Sequence, residues 1–568
     1  MIRKMEARNN IRALTILAFL LLAVLPVAYM YVSSYYGSSY SLERYTWILK
    51  DHRQQDIFIR TVCLGLGVML ISILFGVLAA VLLEYSNIPC RQYFRVLLIV
   101  SLLIPPYISA MSYLAFMGKN WVTPEIREPV PEIASMVRRD TMAAGNDTSL
   151  LPNKASVTPG QRTVGRPWYL PFDINPYTLE YAILSLSLSF YPLVYLMTSS
   201  ALRNVDPRLE DAALLVRSPP AVVARITLPL VLPQTLAAGL LVFIFAVSDL
   251  GVPSVYRVNT LAMEVFSHFT GFYDTGQALA LSFPLLVSIA VLIIALKRIL
   301  KDRPFYSLSS QEQKSPIVRL SFPQKIASLG FVSALALFSA VIPVALLFLQ
   351  SEHSFPDALG KASDSILNSL FLAALCASLM LLPAFFYSYF FQKKAWADYL
   401  ALFPLIAPSA ALGIGMIAIW NNDYTAIVYG TFLVLAAGYL ARFLPFAIKA
   451  VAPFLEQIPP AVEESARLTG ASFTKIVSEI LLPLSKTGLI SAWLVGFILC
   501  MRELELSVML TPPGFQTLPN RIFTLYHYGE IGMTCALSLF LIVIVLIPYI
   551  LLWSISRQNA LPTIKKGE

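Results

Sequence analysis

About twelve apolar segments, most of them 20 residues or longer, run through this 568-residue chain and fix its fold class before any motif is considered. A helix that crosses a bilayer needs roughly 20 apolar residues. The candidates lie near residues 11–33, 57–84, 95–117, 177–202, 229–250 and 275–296, then near 325–349, 365–391, 398–420, 425–448, 483–505 and 530–555. Only 13% of the residues are charged, against about 25% in a soluble domain. The expected fold is therefore an all-α polytopic membrane protein.

The first apolar segment is too long for a secretory signal, and Pro26 to Tyr36 offers no small-residue cleavage site, so it reads as a retained helix. The net charge of +9 is explained by placement. Arg3, Lys4, Arg8, Arg12, Arg91, Arg95, Arg203, Arg208, Arg217 and Arg225 fall on one side of the expected topology, as do Lys393, Lys394, Arg557, Lys565 and Lys566. The stretch Lys297 to Lys325 adds seven more. This asymmetry places both termini in the cytoplasm and accounts for the basic balance without nucleic acid. Cys63, Cys90, Cys376, Cys500 and Cys535 lie in or at the ends of apolar segments, without CxxC spacing.

Two stretches repeat. Glu464-Ser465-Ala466, three residues, Gly470, nine residues and Ile480-Leu481-Leu482-Pro483 match Glu210-Asp211-Ala212, Val216 and Ile226-Thr227-Leu228-Pro229 at an offset of 254. Pro105-Pro106 matches Ala407-Pro408 at 302, so the first half holds an insertion of about 48 residues between 118 and 176. The chain divides into a first half (1–298), a polar linker (299–323) and a second half (324–568). Each half has six helices, and parallel repeats relate by an axis along the membrane normal. The pathway is expected on that axis.

The repeated stretches resemble the E-A-A-x3-G-x9-I-x-L-P signature of binding-protein-dependent ATP-binding-cassette importer permeases of type I, here fused as two halves. Asp206-Pro207 and Pro459-Pro460 begin a short helix, because proline suits a first helical turn. Glu210 and Glu464 follow where the helix dipole favours a carboxylate. Gly470 supplies a sharp turn, while Pro229 and Pro483 begin the re-entering helix. In that family the short helix docks in a cleft of the ATPase and carries its motion into the membrane. Glu464→Ala is expected to impair coupling at least as much as Glu210→Ala. No P-loop is present: Gly118-Lys119 and Gly360-Lys361 are followed by Asn and Ala. The chain is thus expected to be a transport subunit, not an enzyme, binding no cofactor itself. ATP and magnesium would belong to two copies of a separate ATPase subunit.

Twenty residues beyond Pro229 and Pro483 stand Asp249 and Glu503, with Arg502 and Glu505 beside the second. That distance is about 30 Å of helix, one hydrocarbon thickness. Two carboxylates at the outer ends of equivalent helices would attract a cation near the axis; alternatively Arg502 neutralises one and both cap helices. Glu84 reads as an interfacial charge. His52, His268, His353 and His527 are scattered outside the membrane without metal-ligand spacing, so no metal site is assigned.

Leu103-Ile104-Pro105-Pro106-Tyr107, Ser248-Asp249-Leu250-Gly251, Met501-Arg502-Glu503-Leu504 and Gly514-Phe515-Gln516-Thr517-Leu518 with Arg521 resemble ferric-iron permeases. Fused thiamine permeases and relatives for phosphonates or polyamines share the layout. The resemblance implies a bacterial inner membrane protein that takes its substrate, ferric iron first, from a periplasmic or lipid-anchored binding protein by alternating access. A secondary transporter driven by an ion gradient is the rival, but it would not need the two signature loops.

Overall fold

The structure, a computed structural model, describes residues 2–29, 50–116, 175–272, 274–299, 318–351, 354–391 and 394–560. The expected insertion and most of the linker lie outside these residues, as do His353 and Lys393. Among the described residues, nine helices are long and apolar enough to cross a membrane, and three bent pairs raise the total to twelve. The described elements are helical apart from one isolated β-bridge between Ser86 and Val318. The all-α polytopic fold read from the sequence is the fold observed.

In the first half the spans are α1 (Asn9–Tyr29), α2 (His52–Tyr85), the pair α3 (Arg91–Leu103) and α4 (Pro106–Phe116), and α5 (Leu179–Arg203). A short helix α6 (Pro207–Leu214) precedes α7 (Pro219–Ser248). Two further short helices, α8 (Gly251–Val255) and α9 (Leu261–Thr270), lead to α10 (Thr275–Ile299). The second half repeats this order with α11 (Phe322–Ser351), α12 (Phe355–Phe391), α13 (Ala395–Ile406), α14 (Ser409–Trp420) and α15 (Phe432–Glu456). It continues through α16 (Pro460–Leu468), α17 (Phe473–Leu484), α18 (Lys486–Met501), α19 (Glu505–Leu510), α20 (Leu518–His527) and α21 (Ile531–Ala560).

Three spans expected to be straight are broken, one of them at Ser485, where α17 meets α18 at 72°. α3 meets α4 at 94°, and α13 meets α14 at 99°. The residue before a proline is pushed out of the helical region, and Ile104 before Pro105 (ψ 121°) and Ala407 before Pro408 (ψ 129°) both adopt extended backbone. Re-entry also starts earlier than expected. α7 begins at Pro219, ten residues before Pro229, and α17 begins ten before Pro483.

Pro229 and Pro483 have a different task. Val223–Thr227 and Val477–Leu481 are single π turns, in which the N–H of Leu228 bonds the carbonyl of Val223 and that of Leu482 bonds Val477. Proline in a helix lacks a donor and crowds the carbonyl four residues back, and widening the turn by one residue removes that crowding. Leu20–Val24 before Pro26 and Leu337–Val341 before Pro343 do the same.

The halves interlock. α1 packs on α12, where Phe19 and Tyr387 place ring centroids 4.8 Å apart. In exchange α11 lies against the first half: Tyr113 donates to the Phe338 carbonyl at 2.8 Å, and Tyr191 and Ser339 share a 3.0 Å hydrogen bond. Within the first half α2 and α5 pack closely at Gly76. A Cβ there would stand 2.7 Å from Val194 Cβ and 2.8 Å from the Tyr195 nitrogen. Gly76→Val should therefore lower stability by about 1–3 kcal/mol, read as a fall in Tm of the purified protein; an unchanged Tm would contradict this packing.

Candidate functional site

α6 and α16 occupy the same end of the bundle. α11 starts beside the C-terminal end of α2, where the N–H of Val318 bonds the Tyr85 carbonyl at 2.6 Å. α12 then returns from the far end to that level. Asp206 caps α6 by accepting from the Arg208 N–H at 2.9 Å, with Pro207 in the first turn.

Glu210 is buried at 1% exposure and accepts from Tyr85 and Thr227, each at 2.7 Å. Burial pushes its carboxyl above the ordinary value, and the two hydroxyl donors oppose that rise. In the second half Tyr389 donates to Glu463 at 2.5 Å, and Arg467 pairs with the same carboxylate. The counterpart of Glu210 by contact is thus Glu463, not Glu464 as the offset of 254 suggests; Glu464 and Ser465 are exposed.

The loops differ in length by one residue, so the offset is 253 on the short helices and 254 on the π turns. The second loop uses its extra residue at Gly470, left-handed at φ 86°, while the Ala471 N–H bonds the Ala466 carbonyl. Such a position suits glycine. The shorter first loop turns without it: the N–H groups of Val216 and Arg217 both bond Ala213. Val216 therefore replaces a glycine that this turn does not require, while Asp211 is exposed and Ala212 exposed beside it. Leu215 and Leu468 project into solvent at 87% and 89% exposure, again at equivalent places.

Glu84, read as an interfacial charge, is held inside an ion cluster. It is buried and accepts from Ser199 at 2.6 Å, Arg95 at 2.6 Å and Arg203 at 2.8 Å, joining α2, α3 and α5.

The second place is a cavity of about 260 Å³ between the halves, where Asp249, Arg502, Glu503 and Glu505 all meet. The four were read at the outer rim, but they share this cavity with Phe190, near the middle of α5. The chain does not leave the bundle after α7 and α18; it turns into α8 and α19, whose faces are buried. Both acids begin these helices, Asp249 accepting from the Val252 N–H at 2.7 Å and Glu503 from Leu506 at 3.1 Å. The capping alternative is therefore realised, and the same carboxylates also line the cavity.

Arg502 crosses between halves and donates to the Leu102 carbonyl beside the α3–α4 break. Arg442 of α15 and Tyr107 of α4 complete the polar wall, and Phe245 stacks on Phe446 at 6.1 Å along its apolar side. Arg442 was missed in the sequence reading, although it is the one charged residue in the apolar stretch 425–448, a recognised sign of function. Toward the α6 end a second cavity of about 890 Å³ lies between α5 and α7, lined by Met197, Ser200, Asn204, Leu230 and Gln234. Among the described residues no three His, Cys, Asp or Glu side chains converge closely enough to hold a metal ion. His527 instead contacts Ser254 at 3.1 Å, and His268 lies 3.8 Å from Glu264.

A polytopic helical bundle with paired short helices at one end and a polar cavity between its halves defines a membrane permease. Residues 72–302 match the family described as binding-protein-dependent transport system inner membrane component. Over this stretch the chain is similar to that family of inner membrane permeases of binding-protein-dependent transport. It is 24% identical over 381 residues to an Fe(3+)-transport system permease protein of Haemophilus influenzae, covering 65% of this chain and 74% of that one. A ferric transport system permease protein of Actinobacillus pleuropneumoniae is 23% identical over 384 residues; the match spans 63% of this chain but only 56% of that relative. A Salmonella paratyphi A permease protein provisionally assigned to 2-aminoethylphosphonate transport is 29% identical over 213 residues, 36% of this chain and 80% of that one.

Glu84→Ala should strand Arg95 and Ser199 and destabilise the protein by on the order of 2 kcal/mol. Thermal unfolding checks this, and Glu84→Gln should recover part of the loss.

Proposed function

We propose that this chain is the membrane subunit of an ATP-driven importer, passing a small charged substrate, ferric iron first, from a binding protein to the cytoplasm by alternating access. The observation that carries this is the pair of short helices. Each presents an exposed leucine, Leu215 or Leu468, outside any core. Each also ties a carboxylate to a tyrosine at the end of a long span, Glu210 to Tyr85 and Glu463 to Tyr389. Exposed apolar side chains at equivalent places suit docking to two copies of one partner, here an ATPase subunit. The tyrosine bonds would pass its motion to α2 and α12. ATP hydrolysis and its magnesium reside on that subunit, so this chain makes and breaks no covalent bond.

The substrate would reach the central cavity, cross the Phe245–Phe446 layer and leave through the larger cavity near α6. Ferric iron is supported by the Haemophilus and Actinobacillus relatives. A small zwitterion is the second reading, favoured by the two arginines in the cavity wall. Both halves, 1–298 and 324–568, would contribute, with both termini on the cytoplasmic side.

The test is ATP hydrolysis by the complex in lipid, with binding protein loaded by ferric iron or by 2-aminoethylphosphonate. Stimulation by one loaded form supports import of that substrate, and stimulation by neither overturns the reading. Leu468→Glu should abolish ATPase docking at that loop while leaving Tm unchanged. Glu210→Ala should lower Tm by removing the acceptor shared by Tyr85 and Thr227, whereas Glu464→Ala, at an exposed position, should change only the stimulation.

A further inference from the structure

Three polar groups in the wall of the central cavity have no hydrogen-bond partner within the protein: the Tyr107 hydroxyl, Arg442 Nη1 and Glu505 Oε2. Tyr107 is 3% exposed and Arg442 5%. Arg442 Nη2 and Glu505 Oε2 stand 3.8 Å apart, beyond hydrogen-bond reach, so the two charges face one another without closing. Buried polar groups are normally paired, because an unmade bond costs the full desolvation of the group. Several such groups converging on one space mark a ligand site more readily than an error of packing.

The wall is also one-sided. At the offset of 253 that holds from α5 through the short helices, the first-half counterpart of Arg442 is Ser189; at the offset of 254 beyond them, the counterparts of Glu505 and Arg502 are Gly251 and Ser248. The neighbours are exchanged to match. Tyr107 lies against Gly251, whose Cβ would meet it at 2.7 Å, and the smaller Ser409 occupies the place equivalent to Tyr107 in the second half. Charge has thus been concentrated on the second half.

We propose that this cavity is a transient binding site for a small ligand that carries an oxyanion and a cationic group together; the proposal rests on the import reading above. Arg442 and Tyr107 offer donors to the oxyanion, and Glu505 accepts from, or neutralises, the cationic group. A lone cation would face two guanidinium groups, and a lone anion would face three carboxylates; either leaves buried charge uncompensated. A volume of about 260 Å³ is below the range of about 300–1,000 Å³ typical of drug-sized ligands. Two sources share this chemistry: a zwitterion such as an aminophosphonate, and a metal ion bound to an oxyanion.

The test is calorimetric titration of the full-length chain in lipid nanodiscs. The probes are 2-aminoethylphosphonate against methylphosphonate and ethylamine, and ferric pyrophosphate against pyrophosphate alone. At least one two-charge probe should bind about tenfold or more tightly than its single-charge parts, and which one does so identifies the source. Tyr107→Phe should weaken that binding, and Arg442→Ser with Glu505→Ala, which approaches the neutral wall of the first half, should keep Tm and remove the preference. The proposal is overturned if no probe binds, if single-charge parts bind as tightly as the whole, or if the double variant retains the preference. ATP-driven uptake that fails while binding persists would sink the import reading alone; uptake with an unaltered substrate range in the double variant would sink the site alone.

Discussion

Inside hydrocarbon no water is available to a backbone N–H or carbonyl, so each interruption of a helix must be satisfied within the protein. This chain interrupts its helices often, because 38 of its residues are prolines. Four prolines are accommodated by π turns; three of these helices run on, and the fourth bends at Ser485, just past Pro483. Carbonyls loosened there or at helix ends become acceptors for distant side chains, as Phe338 does for Tyr113 and Leu102 for Arg502. The polar contacts between the halves are therefore concentrated where proline disturbs the backbone. The central cavity lies beside the sharpest of these disturbances, the breaks at Pro105 and Pro408.

The two halves share a topology but have diverged in chemistry. Asp249 and Glu503 keep one task in both, each accepting the N–H three residues on. Around them the second half holds Arg442, Arg502 and Glu505, whereas the first half places its buried ion cluster at Glu84, near the α6 end. Fusion in one polypeptide permits this division, because the halves always meet in the same pairing. A homodimer could not put Ser189 and Arg442 at equivalent places.

Much of this was legible beforehand. Twelve apolar runs predicted twelve spans, and their limits agree with the helices within a few residues at most ends; the starts at Pro219, Phe355 and Phe473, each ten residues early, are the largest departures. The repeat located both short helices because its proline, glutamate and leucine-proline positions each answer a local need. What escaped was whatever depends on contacts across the sequence. Counting residues aligned Glu210 with Glu464, and only the bonds from Tyr85 and Tyr389 reveal Glu463 as the partner. Likewise, counting 20 residues from Pro229 put Asp249 at the rim, since helix length says nothing about the re-entrant turn into α8. The meeting of Tyr107 with Gly251 has no local signal at all.

The exchange of first helices has a consequence for assembly. α1 completes the second half and α11 completes the first, so neither half buries its own surface without the other. Synthesis from the N-terminus therefore leaves the first five spans of α2 to α10 waiting for α11 before their core is closed. A chain cut within 300–317 would yield two pieces that are each incomplete, yet mutually sufficient. Fusion here acts as a tether that raises the local concentration of two complementary fragments, and the covalent link matters more for the moment of folding than for the finished bundle.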